Sequence, residues 1–289
     1  MRRFWWLLRR AVVLVYEENC LSISKGAAYS ALLSVFPVLT TIAAILVQME
    51  ARPVVVVLER FLAQVAPPGT EDLFLSRFAE AGKRPVTLLV VAVLLSLYAA
   101  SGVMLSLIEG FNAAYHVPMG RDFLRNRGVA AALVFCAALP AIGASVVILF
   151  GNRTEEWALN WIRGVSATEP LTAGLLLVGL LVKYVVSVIT VVIVTLLLYK
   201  IGPNRPQRWR DLWPGAIVAT ILWLLATLGF GWYVRNMADY NVMYGSVGAV
   251  IALIVWMYLL AVIALYGCAF NAAEEQLTVA ELKTRTLQS

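Results

Sequence analysis

The chain has 289 residues, 61% of them hydrophobic and 14% charged. An ordinary soluble domain carries about one quarter charged residues, so water cannot be the solvent around most of this surface. The apolar residues come in long unbroken runs, which excludes a soluble enzyme and predicts an all-α, polytopic membrane protein forming one integral domain over residues 1–289. The formal net charge of +6 fits either a nucleic-acid partner or a preference for the cytoplasmic leaflet, and only the positions of the charges separate the two.

The N-terminal stretch, residues 1–18, places Arg2, Arg3, Arg9 and Arg10 in one sector of a helical wheel. Phe4, Trp5, Leu8, Ala11, Val12 and Val15 lie opposite, with Trp6 and Val13 as exceptions. Arg9 and Arg10 interrupt the apolar run and no small-residue cleavage site follows, so the segment reads as retained. The pattern predicts an interfacial amphipathic helix on the cytoplasmic surface.

Six segments that follow are long and apolar enough to cross hydrocarbon: Gly26–Gln48, Pro85–Glu109, Gly128–Phe150, Leu171–Tyr199, Leu212–Val234 and Met243–Phe270, leaving 271–289 as a cytoplasmic tail. Between the first two, Pro53–Pro67 sets Val54, Val55, Leu58, Phe61, Leu62 and Val65 on one helical face. Its shortness and the charges of Glu59 and Arg60 predict an extramembrane amphipathic helix, with a second over Glu71–Gly82. Basic residues crowd the N-terminal arm, the loop with Arg121, Arg125 and Arg127, the loop with Lys200, Arg205, Arg208 and Arg210, and the tail with Lys283 and Arg285. The opposite loops are poorer in them for their length and carry offsetting acids. Both termini are therefore expected in the cytoplasm of a bacterial inner membrane, and topology rather than a nucleic-acid partner accounts for the charge. No internal repeat is visible, so the inverted symmetry of many secondary transporters is not seen in the sequence.

Lys183 lies 12 residues after Leu171 and 16 before Tyr199, roughly 18 Å and 24 Å from the ends of its helix. A charge this deep costs about 2.5 to 3.5 kcal/mol on insertion scales. Gly179, Lys183, Ser187 and Thr190 follow helical spacing and form a polar stripe expected to face the bundle interior or a wet cavity. The stripe reads either as a cationic site for an anionic solute or lipid headgroup, or as a lysine reaching a helix carbonyl or tilting toward the interface. Glu109 is a counter-ion candidate but falls near the inner end of its helix, so a direct pair with Lys183 needs strong tilt. With Asn112 at i+3 on the same face, it reads as a lip residue or helix cap at the inner mouth ahead of a transport role.

Pro37 interrupts the first spanning helix and leaves the Leu33 carbonyl without its helical donor, while Tyr29, Ser30, Ser34, Thr40 and Thr41 surround it with hydroxyls. Such a kinked polar helix gates or lines a cavity, or simply packs centrally. Gly245, Gly248, Ala249 and Ala252 form a small-residue packing seam, and Trp157, Trp161, Trp209 and Trp213 sit at expected interfaces as anchors. His116 is the only histidine, and Cys20, Cys136 and Cys268 are scattered without CxxC spacing. The carboxylates lie mainly in separate loops and glycine-rich phosphate loops are absent. No catalytic residue, metal or cofactor is therefore expected.

The run Ala27-Ala28-Tyr29-Ser30-Ala31-Leu32-Leu33-Ser34-Val35-Phe36-Pro37 resembles the first-helix signature of the YihY/virulence factor BrkB family, once labelled ribonuclease BN. Further matches follow in order: Asn112 with Arg121 and Arg127, Leu198-Tyr199-Lys200 with Pro203-Asn204, Trp209-Arg210 with Pro214-Gly215-Ala216, Tyr244 to Gly248, Trp256-Met257-Tyr258, and Gly267 to Asn271. The resemblance covers nearly the whole chain. It implies a bacterial inner-membrane protein of six or so helices, with links to serum resistance in some members and transport proposed in others, no agreed substrate, and a ribonuclease label that looks like a historical misassignment. Where the family often reads Gly-Ala-Glu-Phe-Asn, this chain has Gly267-Cys268-Ala269-Phe270-Asn271, which puts in doubt any ion coupling through that glutamate.

The expected function is thus a transporter or lipid-flipping protein for an anionic or amphipathic solute, with Lys183 in a polar cavity between the kinked first helix and the fourth. The rival readings are an envelope-maintenance protein without flux, whose extramembrane helices around Pro53 to Gly82 bind a partner, and then a membrane-associated ribonuclease. Membrane lipids are the expected surroundings, and no nucleic-acid partner is expected.

Overall fold

The structure is a computed structural model that describes residues 2–48, 86–118, 120–164, 169–236 and 240–288. The helices expected at Pro53–Pro67 and Glu71–Gly82 lie outside these residues. The described elements are all helical: α1 (Arg2–Glu17), α2 (Cys20–Gln48), α3 (Val86–Ala114), α4 (Phe123–Gly164), α5 (Glu169–Ile201), α6 (Trp209–Asn236) and α7 (Tyr240–Gln288).

Six helices, α2 to α7, carry a stretch long and apolar enough to cross a membrane, with mean hydropathy from 1.2 over Cys20–Ile42 to 2.6 over Leu177–Ile201. Hydrocarbon offers no partner to a bare peptide group, so each crossing segment satisfies its own backbone as a helix. The chain is therefore a polytopic all-α membrane protein, as its composition required.

The helices pack largely in chain order, α3 on α4, α4 on α5, α5 on α6 and α6 on α7, while α2 closes the bundle against both α3 and α7. The fully buried core gathers at one end. There Leu14 of α1, Ile108 and Phe111 of α3, Tyr199 of α5, Leu212 of α6 and Leu265 of α7 meet.

Helix α1 corrects the simple picture of an apolar face resting wholly on a surface. Leu7, Ala11, Leu14 and Val15 are buried, whereas Trp5 and Val12 stay exposed. The apolar arc is wide enough to be split: one flank docks on α7 and the other, with Trp5, Val12 and Tyr16, faces outward. Phe4 packs 6.0 Å from Phe270, the Tyr266 hydroxyl donates to the Leu8 carbonyl at 3.1 Å, and Arg3 approaches Glu281 at 3.9 Å. The sharp turn into α2 uses Asn19 at φ 53°, a left-handed conformation that asparagine tolerates better than most residues.

At Pro37, inside the continuous α2, hydroxyls gather on the Pro37 carbonyl itself. Ser96 of α3 approaches it at 2.6 Å and Thr40 at 2.9 Å, while Thr41 lies 2.6 Å from Ser96. Thr41 and Ser96 are both buried, so this pair stitches α2 to α3 by polar contact beside Pro37, the kind of bond that holds spanning helices together. In α7, Gly248 is buried, and the surroundings of Gly245 lie outside the described side chains.

Candidate functional site

The residues singled out from the sequence fall into separate places. On α5, Gly179, Lys183 and Thr190 lie on the half-buried face, flanked by exposed Val182, Tyr184 and Val185. Ser187 is exposed, and its hydroxyl donates to the Lys183 carbonyl at 2.8 Å. Thr190 donates to the Val186 carbonyl at 2.8 Å, so both hydroxyls of the stripe are used within their own helix. On α2, Tyr29 is 63% exposed and points away from the bundle rather than into it. Ser34 is half-buried and donates to the Ala31 carbonyl at 2.8 Å.

Glu109 and Asn112, three apart on α3, part company. Glu109 is exposed while Asn112 is buried. The Asn112 Oδ1 accepts the Asn204 backbone N–H at 2.7 Å, so this residue holds a loop instead of lining a mouth.

That loop, residues 202–208 between α5 and α6, is fixed from several sides. The Arg121 guanidinium donates to the carbonyls of Gly202 at 3.0 Å, Pro203 at 3.1 Å and Ile201 at 3.4 Å. Desolvation lowers the Arg121 pKa, with Arg125 adding to the effect. Lys200 donates to the Gln207 carbonyl and lies 5.5 Å over the Trp209 ring. Beneath the loop, Tyr199 is fully buried, meets Phe111 edge-on at 5.4 Å and donates to the Ala264 carbonyl at 2.8 Å.

Helices α6 and α7 touch backbone to backbone beside Tyr199. A Cβ at Gly267 would strike the Tyr199 hydroxyl, the Ala219 Cβ at 2.7 Å and the Gly215 carbonyl at 2.7 Å. One at Gly215 would strike the Gly267 carbonyl and the Asn271 side chain. Asn271, buried, seals the crossing: its Oδ1 accepts the Gly215 N–H at 2.6 Å and its Nδ2 donates to the Leu212 carbonyl at 3.1 Å. Ala269, standing where the resembling family often has glutamate, is fully buried in the same region.

A cavity of about 370 Å³ opens at this end of the bundle. Tyr115 and His116 reach it from the turn after α3, Arg205 from the α5–α6 loop, and Glu275, Gln276 and Lys283 from α7 alongside Val279 and Ala280. Arg205 lies 4.5 Å over the Tyr115 ring and pairs with the Glu275 carboxylate at 2.6 and 2.8 Å. His116, at φ 54°, puts Nδ1 3.2 Å from Glu18. Burial pushes the Tyr115 phenol well above its ordinary pKa, with Cys268 adding and Arg205 opposing, so it stays protonated. Gln207 runs alongside Tyr115 and is buried at 8% exposure.

None of this cavity was singled out from the sequence. Arg205 and Glu275 stand 70 residues apart, and no periodicity links them. The only signal was the excess of basic residues in these connections, which reads as topology.

Six apolar helices, closed at one end by a clasped polar loop, define a polytopic all-helical membrane protein. The chain belongs to the virulence factor BrkB family, whose sequence profile matches residues 14–288. Similar proteins include the ribonuclease-like protein YfkH of Bacillus subtilis, 30% identical over 86% of this chain and 88% of that protein. A UPF0761 membrane protein of Tolumonas auensis is 27% identical over 89% of this chain and 82% of its own length. Another, from Chromobacterium violaceum, is 30% identical over 59% of this chain and 38% of its own. No solved structure matches.

Proposed function

We propose that the chain is a bacterial inner-membrane transporter or lipid-flipping protein that accepts an anionic or amphipathic solute, with both termini cytoplasmic and without enzymatic activity. The observation that carries this reading is Lys183. It stands 14 residues after the start of α5 and 18 before its end, about 21 Å and 27 Å along the axis, half-buried on a helix that packs on α4 and α6. A cation held at such depth is expensive and marks the path of a charged solute more often than it serves packing. The hydroxyls of Ser96 and Thr40 gathered on the Pro37 carbonyl support the same reading, because polar groups within a span are costly against lipid and face the bundle interior or a wet path. The basic loops bearing Arg121, Arg125, Arg205 and Arg208 support cytoplasmic placement of the end that carries α1 and the last turns of α7.

In liposomes, the purified chain is expected to move an anionic fluorescent lipid or organic anion faster than protein-free vesicles do. Lys183→Met is expected to lower that flux about tenfold and Lys183→Arg to keep part of it. Flux that Lys183→Met leaves untouched would sink the proposal.

The ribonuclease-like label of the Bacillus subtilis relative is not carried over, because the ligand types of a hydrolytic metal centre are sparse in this sequence, which has one histidine. Protein purified to homogeneity is expected to leave RNA intact with or without divalent metal. Cleavage that co-elutes with the folded chain and persists through further purification would reverse this.

A further inference from the structure

Arg127 sits one turn inside the apolar span that begins at Phe123, about 6 Å along α4, the level at which a crossing helix passes the phospholipid headgroups. Its guanidinium reaches across to α3, lies 3.9 Å over the Tyr98 ring and donates from Nη2 to the Tyr98 carbonyl at 2.7 Å. That clamp leaves Nη1 without a protein acceptor. No carboxylate among the described residues lies within ion-pair distance of this arginine.

The surface around Arg127 faces lipid. Val91, Leu94 and Tyr98 make one exposed stripe of α3, and Leu124, Phe135 and Leu139 make one of α4. Both helices cross hydrocarbon and pack on each other. Gly128, the next residue of α4, leaves open space beside the guanidinium, since a Cβ there would meet nothing within 4 Å.

We propose that the groove between α3 and α4 at Arg127 holds one phospholipid of net negative headgroup, of the phosphatidylglycerol kind. Its phosphate sits on the guanidinium and its acyl chains lie along the two apolar stripes. Charge complementarity selects the headgroup. A cation at this level with no protein acid beside it is balanced by the phosphate, the anion that lipid itself supplies there. A zwitterionic headgroup brings an ammonium as well, and that ammonium finds no carboxylate at this place. The Tyr98 ring fixes the plane of the guanidinium, so its remaining donors are presented to phosphate oxygens in a set direction. The inference is independent of the transport reading, since it needs neither Lys183 nor flux.

Native mass spectrometry of the full chain, in micelles titrated with dioleoylphosphatidylglycerol or dioleoylphosphatidylcholine, reads the first lipid retained. The parent is expected to hold the phosphatidylglycerol about fivefold more tightly. Arg127→Met is expected to bring the two lipids level. Arg125→Gln removes the same charge from an exposed position two residues away and is expected to keep the preference. A second measurement needs no variant: phosphatidylglycerol carrying a diazirine in its acyl chain is photo-crosslinked to the parent, and adducts are expected in residues 91–98 and 124–139. An Arg127 that only straps α4 to the Tyr98 carbonyl gives a different result, a lower melting temperature for Arg127→Met with the lipid preference unchanged. The site is ruled out by that result, by equal retention of both lipids in the parent, by equal losses in Arg127→Met and Arg125→Gln, or by adducts spread evenly over the helices as for a boundary lipid only. Should Arg127→Met fail to fold, the parent's preference and its adducts decide.

Discussion

Gly267→Val is expected to abolish recovery of folded protein, read as loss of the monodisperse peak in detergent size-exclusion, and Gly267→Ala to lower stability by about 3 kcal/mol. Both predictions follow from what surrounds the glycine. A side chain there meets the Gly215 carbonyl, the Tyr199 hydroxyl and the Ala219 Cβ at once, and the first of these is backbone that cannot swing aside. Relief requires α6 and α7 to separate, which would also pull the Asn271 amide away from the Gly215 N–H and the Leu212 carbonyl. Close approach of small residues is the main attraction available between helices in lipid, where the hydrophobic effect does not operate between them. Gly229→Ala supplies the control, because a Cβ at that position of α6 meets nothing within 4 Å. If Gly267→Val elutes and melts like the parent, the close crossing of α6 and α7 is not real.

Arg121→Met is expected to cost about 2 kcal/mol and to loosen the α5–α6 loop specifically. One guanidinium serves the carbonyls of Ile201, Gly202 and Pro203, and hydrogen bonds from a charged donor are worth about 1.5 to 3 kcal/mol. Gly202 and Pro203 are buried, so the carbonyls left behind have little water to turn to. Arg121→Lys is expected to rescue less than half of the loss, since an ammonium on a single stem cannot reproduce the planar fork that spans several acceptors. Thermal unfolding measures the stability, and amide hydrogen exchange over residues 202–208 measures the loosening. Exchange in the loop that is the same for Arg121→Met and the parent would show that the clasp does not hold.

The helical bundle was legible because hydrocarbon imposes one rule on every crossing segment, and apolar runs such as those around Val90 and Leu177 display it without long-range information. The place of Pro37 inside α2 was legible for the same local reason, though not the acceptor of the nearby hydroxyls, which is the Pro37 carbonyl. The outward turn of Tyr29 and the inward turn of Asn112 were not legible. Each depends on which neighbour lies opposite, and that is a property of packing, not of spacing. Arg121 was read as one more positive charge and as part of the family resemblance, with no role given to it. Its three acceptors sit some 80 residues away, in a loop whose path is set by the helices on either side. The split face of α1 is the intermediate case: the wheel showed how wide the apolar arc is, but only the presence of α7 decided which flank would be covered.

The bond from Tyr266 to Leu8 spans 258 positions, and this sets an order of events during synthesis. The first helix leaves the ribosome long before the surface that receives Leu7, Ala11 and Leu14 has been made. Until the last helix arrives, those side chains can shelter only among lipid headgroups, with the arginines turned to the aqueous side. The seating of α1 therefore waits for α7, and a chain cut short before Tyr266 would leave α1 with no seat.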